Sequence, residues 1–287
     1  MNTDFAHYYQ RIRSKQKRET LLWSLLLVGL YLGAGTLAEF NLHTVWVSLP
    51  NFFDYLAETV PVLHWRLLFA DGHTEGSLAY WGYRLHIQLP LLWETLQLAL
   101  AATLCSVLVA GALAFLAANN THSPGWLRFA IRTLVACLRT MPELAWAVMF
   151  VMAFGIGAIP GFLALALHTI GSLTKLFYEA LETASSKPVR GLAACGATPL
   201  QRMRFGLWPQ VKPVFMSYSF MRLEINFRQS TILGLVGAGG IGQELMTNIK
   251  LDRYDQVSMT LLLIIVVVSL LDYSSGKLRQ RVVEGGK

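Results

Sequence analysis

The sequence predicts an all-α membrane protein of six transmembrane helices with both termini cytoplasmic, and three observations carry that prediction. Hydrophobic residues make up 54% of the 287-residue chain and charged residues only 14%, where a soluble domain is about a quarter charged. Apolar windows of about 20 residues recur, each long enough to cross about 30 Å of hydrocarbon at ~1.5 Å per residue. Once those windows are threaded through a bilayer, the basic residues behind the net charge of +7 collect on one side, as the positive-inside rule requires.

Residues 1–20 form a basic tail with Arg11, Arg13, Lys15, Lys17 and Arg18, and LLWSLLLVGLYLGAGTLA at 21–38 is the first span. A cleaved signal peptide has a shorter apolar core followed by a small-residue cleavage site; this run is longer and no such site follows, so the span is retained. Residues 39–89 mix aromatic side chains with Glu39, Asp54, Glu58, Asp71 and Glu75 against Arg66 and Arg84, a net acidic stretch suited to the outer face. Further spans are predicted at 91–118, 137–158, 160–182, 213–235 and 256–274. Arg128 and Arg132 then fall inside before the third span, as do Lys187, Arg190, Arg202, Arg204 and Lys212 between the fourth and fifth. Lys277, Arg279 and Arg281 follow the sixth. Topology accounts for the excess positive charge, which removes the case for nucleic acid as a partner.

Pro142 should break or kink the third span, because proline lacks an N–H and its ring clashes with the preceding turn. That helix starts earlier, near Pro124, with Arg128, Arg132 and Arg139 on a wetter stripe. Cys105, Cys137 and Cys195 are widely spaced and odd in number, with no spacing that holds a metal; no metal and no cofactor is expected.

The stretch VGAGGIG (236–242) contains Gly237-x-Gly239-x-x-Gly242, the spacing of a dinucleotide-binding loop. That loop needs a strand before it and a helix after it, whereas here a spanning helix precedes it, on the outer side. Gly237, Gly239, Gly240 and Gly242 read better as a turn that ends one helix, takes positive φ and lets backbones approach closely. A second reading leaves their N–H groups at the start of the helix IGQELMTNI, holding an anion or a partner.

The longest inner connection is 184–212, ASSKPVRGLAACGATPLQRMRFGLWPQVK. Ser186 is expected to cap a short helix with Pro188 in its first turn, Gly196 to close it, and Thr198-Pro199 to start a second. Leu192, Leu200, Met203, Phe205 and Trp208 are many apolar residues for an idle loop; they cover a partner protein or pack on the protein's own helices.

This segment resembles the EAA loop of ABC-importer permeases, with the pattern E-A-A, three residues, G, nine residues, I-x-L-P. Gly196 and Pro209 stand at the matching separation, with Trp208 at the leucine and Gly206 at the isoleucine position; Arg190, Gly191 and Leu192 replace the acidic residue and the two alanines. KPVRGLAACGATPLQ, FGLWPQVKPVFMSYSFMRLEINFRQSTILGLVGAGGIG, VVSLLDYSSGKLR and LALHTIGSLTKLFYEALE extend the resemblance to phosphonate-import permeases and their phosphite-importing relatives, over residues 90–282. The resemblance implies a type I ABC importer permease domain at 90–282 in the bacterial inner membrane. Its coupling loop, 184–212, uses Arg190, Gly191, Leu192, Gly196, Thr198 and Pro209. It also implies a homodimer with a second copy, two cytoplasmic ATP-binding subunits and an extracytoplasmic solute-binding protein. In the family the acidic residue helps seat the loop in a cleft of the ATPase, and an arginine changes that contact. The chain itself has no G-x-x-x-x-G-K-[ST], so ATP hydrolysis belongs to partners and the chain is no enzyme.

Charged groups inside spans are expensive and count as functional candidates. In span five Arg222, Asn226 and Gln229, flanked by Tyr218 and Ser219, share one face, whereas Glu224 and Arg228 pair at four-residue spacing elsewhere. Arg222, Asn226 and Gln229 are expected to line the translocation path, since arginine suits tetrahedral oxyanions, with Glu224–Arg228 structural. His168, Lys175 and Glu179 form a stripe in span four; His168 either donates to a passing anion or is satisfied by one buried hydrogen bond. Glu143 is expected to bond backbone groups freed by the kink. A path of this kind should bind weakly and leave selectivity to the external binding protein. An ion-coupled secondary carrier of small anions, or an ABC permease for another small solute, are the alternatives; an intramembrane enzyme lacks H-E-x-x-H and a serine–histidine arrangement.

Overall fold

A computed structural model describes residues 2–37, 42–61, 64, 66–71, 74, 76–121 and 123–284. Glu39 and Glu75, assigned above to the outer segment, lie outside the described residues, as does Ala38 at the end of the first span. The chain divides into two units, Met1–Glu58 and Thr59–Lys287.

In the first unit the basic tail and the first span form one continuous helix, α1 (Asn2–Leu37), followed by α2 (Leu42–Thr59) with Pro50 inside it. The apolar part of α1, Ile12–Thr36, is long enough to cross a membrane. Leu21, Trp23, Leu27 and Tyr31 on it are all exposed, as side chains that face lipid must be.

The second unit runs α3 (Leu78–Trp81), α4 (Leu85–Ala117), α5 (Gly125–Thr140), α6 (Glu143–Phe154), α7 (Ala158–Thr183), α8 (Ser186–Ala194), α9 (Pro199–Gln201), a π-helical turn (Arg202–Leu207), α10 (Trp208–Gly234), α11 (Ile241–Lys250) and α12 (Tyr254–Glu284). No strand occurs among the described residues, which removes the dinucleotide-loop reading of 236–242. The predicted third span is two helices, α5 and α6, bent by 86° at Met141–Pro142, with Pro142 as the N-cap of α6. Counting that pair as one, five spans among the described residues are long and apolar enough to cross a membrane. The fifth predicted span, now α10, is not one of them, because Arg222, Glu224 and Arg228 interrupt its apolar character.

α7 is the centre of this unit: 56% of its apolar window is buried, against 33% for α4 and 11% for α12. Small residues make that possible, since in a bilayer helices associate through close packing rather than through exclusion of water. On α4 the fully buried stripe Ala99, Ala102, Ser106, Ala110, Ala114 and Ala117 faces inward, and Ser106 shares its hydroxyl between Ala102 O (2.7 Å) and Ala166 O of α7 (3.0 Å). At Gly171 a β-carbon would meet Leu138 Cβ at 3.0 Å and Arg139 N at 3.1 Å, so α5 lies directly on α7. One arginine of the α5 stripe, Arg132, is satisfied there. Arg132 donates to Ala117 O at the end of α4 (2.9 Å), pairs with Glu182, and stacks over Tyr178 at 4.5 Å. Cations at a helix C-terminus complement its unpaired carbonyls.

At the opposite end a polar clasp joins the start of α4 to α11 and α12. Arg84 pairs with Glu244 at 2.9 Å, Trp81 Nε1 donates to Asp255 O and Ser258 Oγ at 3.0 Å, and Gln88 Nε2 donates to Thr260 Oγ1 at 3.1 Å. Between α10 and α11 the backbones nearly touch: a β-carbon on Gly242 would fall 1.9 Å from Thr231 O and 3.0 Å from Gly234 Cα. Replacing Gly242 by alanine should therefore destabilise the folded permease by about 3 kcal/mol or more, the upper range for overpacking. Gly276→Ala, where nothing lies within 4 Å, should be neutral. Thermal melts of the detergent-solubilised variants followed by size-exclusion chromatography check this; a Gly242→Ala midpoint equal to that of Gly276→Ala would refute it.

Candidate functional site

The 184–212 segment folds as a rigid two-helix unit. Ser185, not Ser186, is the N-cap of α8 and accepts from Lys187 N; Ser186 is the first helical residue. Gly196 ends the helix at φ +76°, its N–H bonded to Ala193 O and that of Ala197 to Leu192 O, both at 3.0 Å. This is the left-handed closure that glycine adopts without strain. Thr198 and Gln201 form a reciprocal capping box that starts α9, and Pro209 sits in the first turn of α10. Gly206 permits α8 to lie against the π-helical turn, since a β-carbon there would meet Leu192 and Val189 at 3.1–3.2 Å.

Gln210, which sequence reasoning missed, staples this unit to α10. Its Nε2 donates to Ser185 O (3.1 Å) and Gly206 O (2.6 Å), and its Oε1 accepts from Ser185 N (3.0 Å). Below it the Phe177 and Phe215 rings stack at 3.9 Å, binding α10 to α7 within a cluster that includes Leu207, Val211 and Ala114. The apolar residues of the segment divide into two sets. Leu192 and Met203 are half-buried and Trp208 packs against Phe115 and Phe215, whereas Leu200 and Phe205 remain 76% and 62% exposed. Around them Lys187, Arg190 and Arg204 are exposed, and the segment contains no carboxylate.

Within the spans the predicted path residues separate. Asn226, expected beside Arg222, is fully buried: its Oδ1 accepts from Thr169 Oγ1 and its Nδ2 donates to Thr103 Oγ1, both at 2.9 Å. α10 is wedged between α4 and α7 at that level, and the amide oxygen and nitrogen each bond a neighbouring helix. Arg222, Gln229 and His168 instead surround Glu143. His168 Nδ1 lies 2.5 Å from Glu143 Oε1, Gln229 hydrogen-bonds the same carboxylate, and Arg222 interacts with it electrostatically. Arg222 Nε and Gln229 Oε1 are buried without a partner. Glu143 also bonds backbone, its own N–H at the start of α6, as its place at the kink leads one to expect. Its position next to Pro142 marked it as unusual, but only the fold shows that the break aims it at α7 and α10. Glu224 and Arg228 pair at 2.5 Å and Lys175 with Glu179 at 3.6 Å, apart from this cluster.

In the glycine turn Gly237, Gly239 and Gly240 take φ of +91°, +83° and +72°. The first free donor of α11, Ile241 N, bonds Thr95 Oγ1 at 2.9 Å, and a β-carbon on Gly239 would lie 3.4 Å from the Glu94 carboxylate. A donor already taken, beside a carboxylate, suits close packing of α10, α11 and α4 rather than an anion.

A bundle of apolar helices with a polar cluster in its interior and a folded basic unit at one end is a multi-span membrane permease. The chain belongs to the binding-protein-dependent transport system inner membrane components, whose family model matches residues 108–284. It is 44% identical over 200 residues, 69% of this chain and 72% of the relative, to the phosphite transport system permease protein PtxC of Stutzerimonas stutzeri. Over 121 residues, 42% of this chain and 99% of the relative, it is 46% identical to the putative cryptic phosphonate transport system permease protein PhnE2 of Escherichia coli K12. Among solved structures it resembles a chain of the inward-facing MetNI methionine ABC transporter, with a TM-score of 0.61 at 21% identity over 70% of this chain and 98% of that one. The fold is thus that of type I ABC importer permeases.

Asn226→Leu should lower stability by about 1–3 kcal/mol, because it leaves two buried hydroxyls with one partner fewer. Thermal melts of the solubilised protein check this. An unchanged melting point combined with lost transport would return Asn226 to the solute path.

Proposed function

We propose that the chain is the permease subunit of an ABC importer for a phosphorus oxyanion, a phosphite or phosphonate, energised by separate ATP-binding subunits. It works as a homodimer with two such subunits on the basic side and a solute-binding protein on the other. α10 completes six spans, both termini lie inside, and 90–282 is the transport domain. The relatives that import phosphite and phosphonate support the substrate class.

One observation carries the mechanism: α8, α9 and the π-helical turn are fastened to α10 by Gln210, and α10 is the helix that bears Arg222. An ATPase that closes against exposed Leu200, Phe205 and Arg190 therefore moves the helix that holds the polar cluster as one body. Such a rigid-body change alters which side of the path is open. Arg222 offers a planar fork of donors to an oxyanion, His168 and Gln229 add hydrogen bonds, and Glu224–Arg228 neutralise each other. Held loosely, the solute is passed on; its choice rests with the binding protein.

Gly196→Val should reduce ATP-driven phosphite uptake at least about tenfold while leaving membrane insertion intact, because a β-branched residue resists the +76° turn. Uptake into proteoliposomes containing the whole complex measures it, and normal uptake would defeat the coupling role. In the same assay Arg222→Gln should lower uptake about tenfold, the effect of losing roughly 1.4 kcal/mol of charge-assisted contact, without loss of assembly. Unchanged uptake would make Arg222 purely structural.

A further inference from the structure

We propose that Glu143 is a resident oxyanion. Its carboxylate sits, in the solute-free protein, against His168 and Gln229 and within the field of Arg222, where a phosphorus oxyanion passes, and the solute crosses by displacing it. This rests on the path reading of Arg222, His168 and Gln229 given above.

The geometry is that of a site built for an anion and filled by one. Glu143 begins α6 immediately after the 86° break at Pro142, and besides its own backbone N–H it meets groups of other helices. Donors reach it from two other helices: His168 Nδ1 of α7 at 2.5 Å from Oε1, the Gln229 amide of α10, and the charge of Arg222, two turns before Gln229. A carboxylate kept only to neutralise a buried cation would saturate it, because an unpaired charge in hydrocarbon is costly. Here the cluster is unsaturated: Arg222 Nε and Gln229 Oε1 are buried with nothing bonded to them. A spare N–H and a spare carbonyl complement a monoprotonated phosphorus oxyanion, which accepts through its P–O⁻ oxygens and donates through P–OH. Single buried atoms of Gln88, Arg128 and Arg202 are also unpartnered elsewhere, but among the described residues only around Glu143 do a spare N–H and a spare carbonyl adjoin the same carboxylate.

A second anion cannot settle among His168, Gln229 and Arg222 while the Glu143 carboxylate stays there, since like charges so close repel strongly outside water. Entry of the solute therefore requires Glu143 to swing aside, and its return drives the solute off. A conduction path needs binding strong enough for entry and weak enough for exit. An internal competitor supplies that balance where Arg222 by itself would retain the anion.

The test uses the permease with its ATP-binding subunits in nanodiscs, without nucleotide or binding protein, and measures equilibrium binding of radiolabelled phosphite, with inorganic phosphate as a second probe. Glu143→Gln keeps the shape and hydrogen-bonding capacity of the side chain but removes the charge. It should bind phosphite at least about tenfold more tightly than the wild type and, with saturating binding protein, import it more slowly. Glu143→Asp, which keeps the charge but withdraws it by a methylene, should show a smaller gain and carries the test if Glu143→Gln fails to assemble. Adding Arg222→Gln to either should abolish the gain. An assembled Glu143 variant that binds no more anion than the wild type, or a gain that survives Arg222→Gln, would overturn the proposal. Were Arg222→Gln alone to slow uptake while the Glu143 variants gained nothing, only the resident-anion role would fall. Normal uptake by Arg222→Gln would instead remove the path reading beneath it.

Discussion

Hydrocarbon offers a polar group no water, so each polar side chain in a spanning helix must be satisfied by another part of the protein. That constraint decides which helices of this permease touch. Asn226 fastens α10 to α4 and α7 through two threonines, Ser106 reaches the backbone of α7 from α4, and Arg132 of α5 closes the end of α4. Apolar packing alone would let these helices slide, because lipid tails solvate leucine as well as another helix does. Small residues set the distances: Gly171, Gly234 and Gly242 permit approaches that a single methyl group would block.

The same constraint separates structure from function along α10. Where polar groups close on one another, as at Asn226, they hold the bundle. Where they converge but leave capacity unused, as at Arg222 and Gln229 beside Glu143, lies the proposed solute path. The fixed region lies between the polar cluster and the basic unit at the end of the helix, so displacement of that unit reaches the cluster through stacked Phe177 and Phe215 and the buried Asn226. On the proposed coupling, the basic, carboxylate-free surface of the unit gives Arg190 different electrostatics toward an ATPase from those of an acidic residue there.

What could be read from the sequence was what is local. Apolar windows, the proline break, the Gly196 closure and the Thr198 cap each depend on residues a few positions apart, and each is present in the fold. What could not be read was which helix faces which. A helical period put Asn226 on the face of Arg222, but it carries no information about Thr103 and Thr169, which claim that amide from distant parts of the chain. Glu143 and His168 meet only because the chain bends by 86° between α5 and α6, and Thr95 caps α11 across 146 positions. The polar content of α10 had a second effect: it keeps this predicted span from being apolar enough to count among the membrane-crossing helices.

All of this requires the α8–α9 unit to lie in the compartment that holds ATP, and the exposed Cys195 beside Gly196 offers a direct probe. With Cys105 and Cys137 replaced by alanine, a membrane-impermeant maleimide should label Cys195 in inside-out vesicles only, and bound ATPase subunits should protect it. Labelling in intact, right-side-out cells would place the unit on the wrong side of the membrane and contradict the proposed coupling.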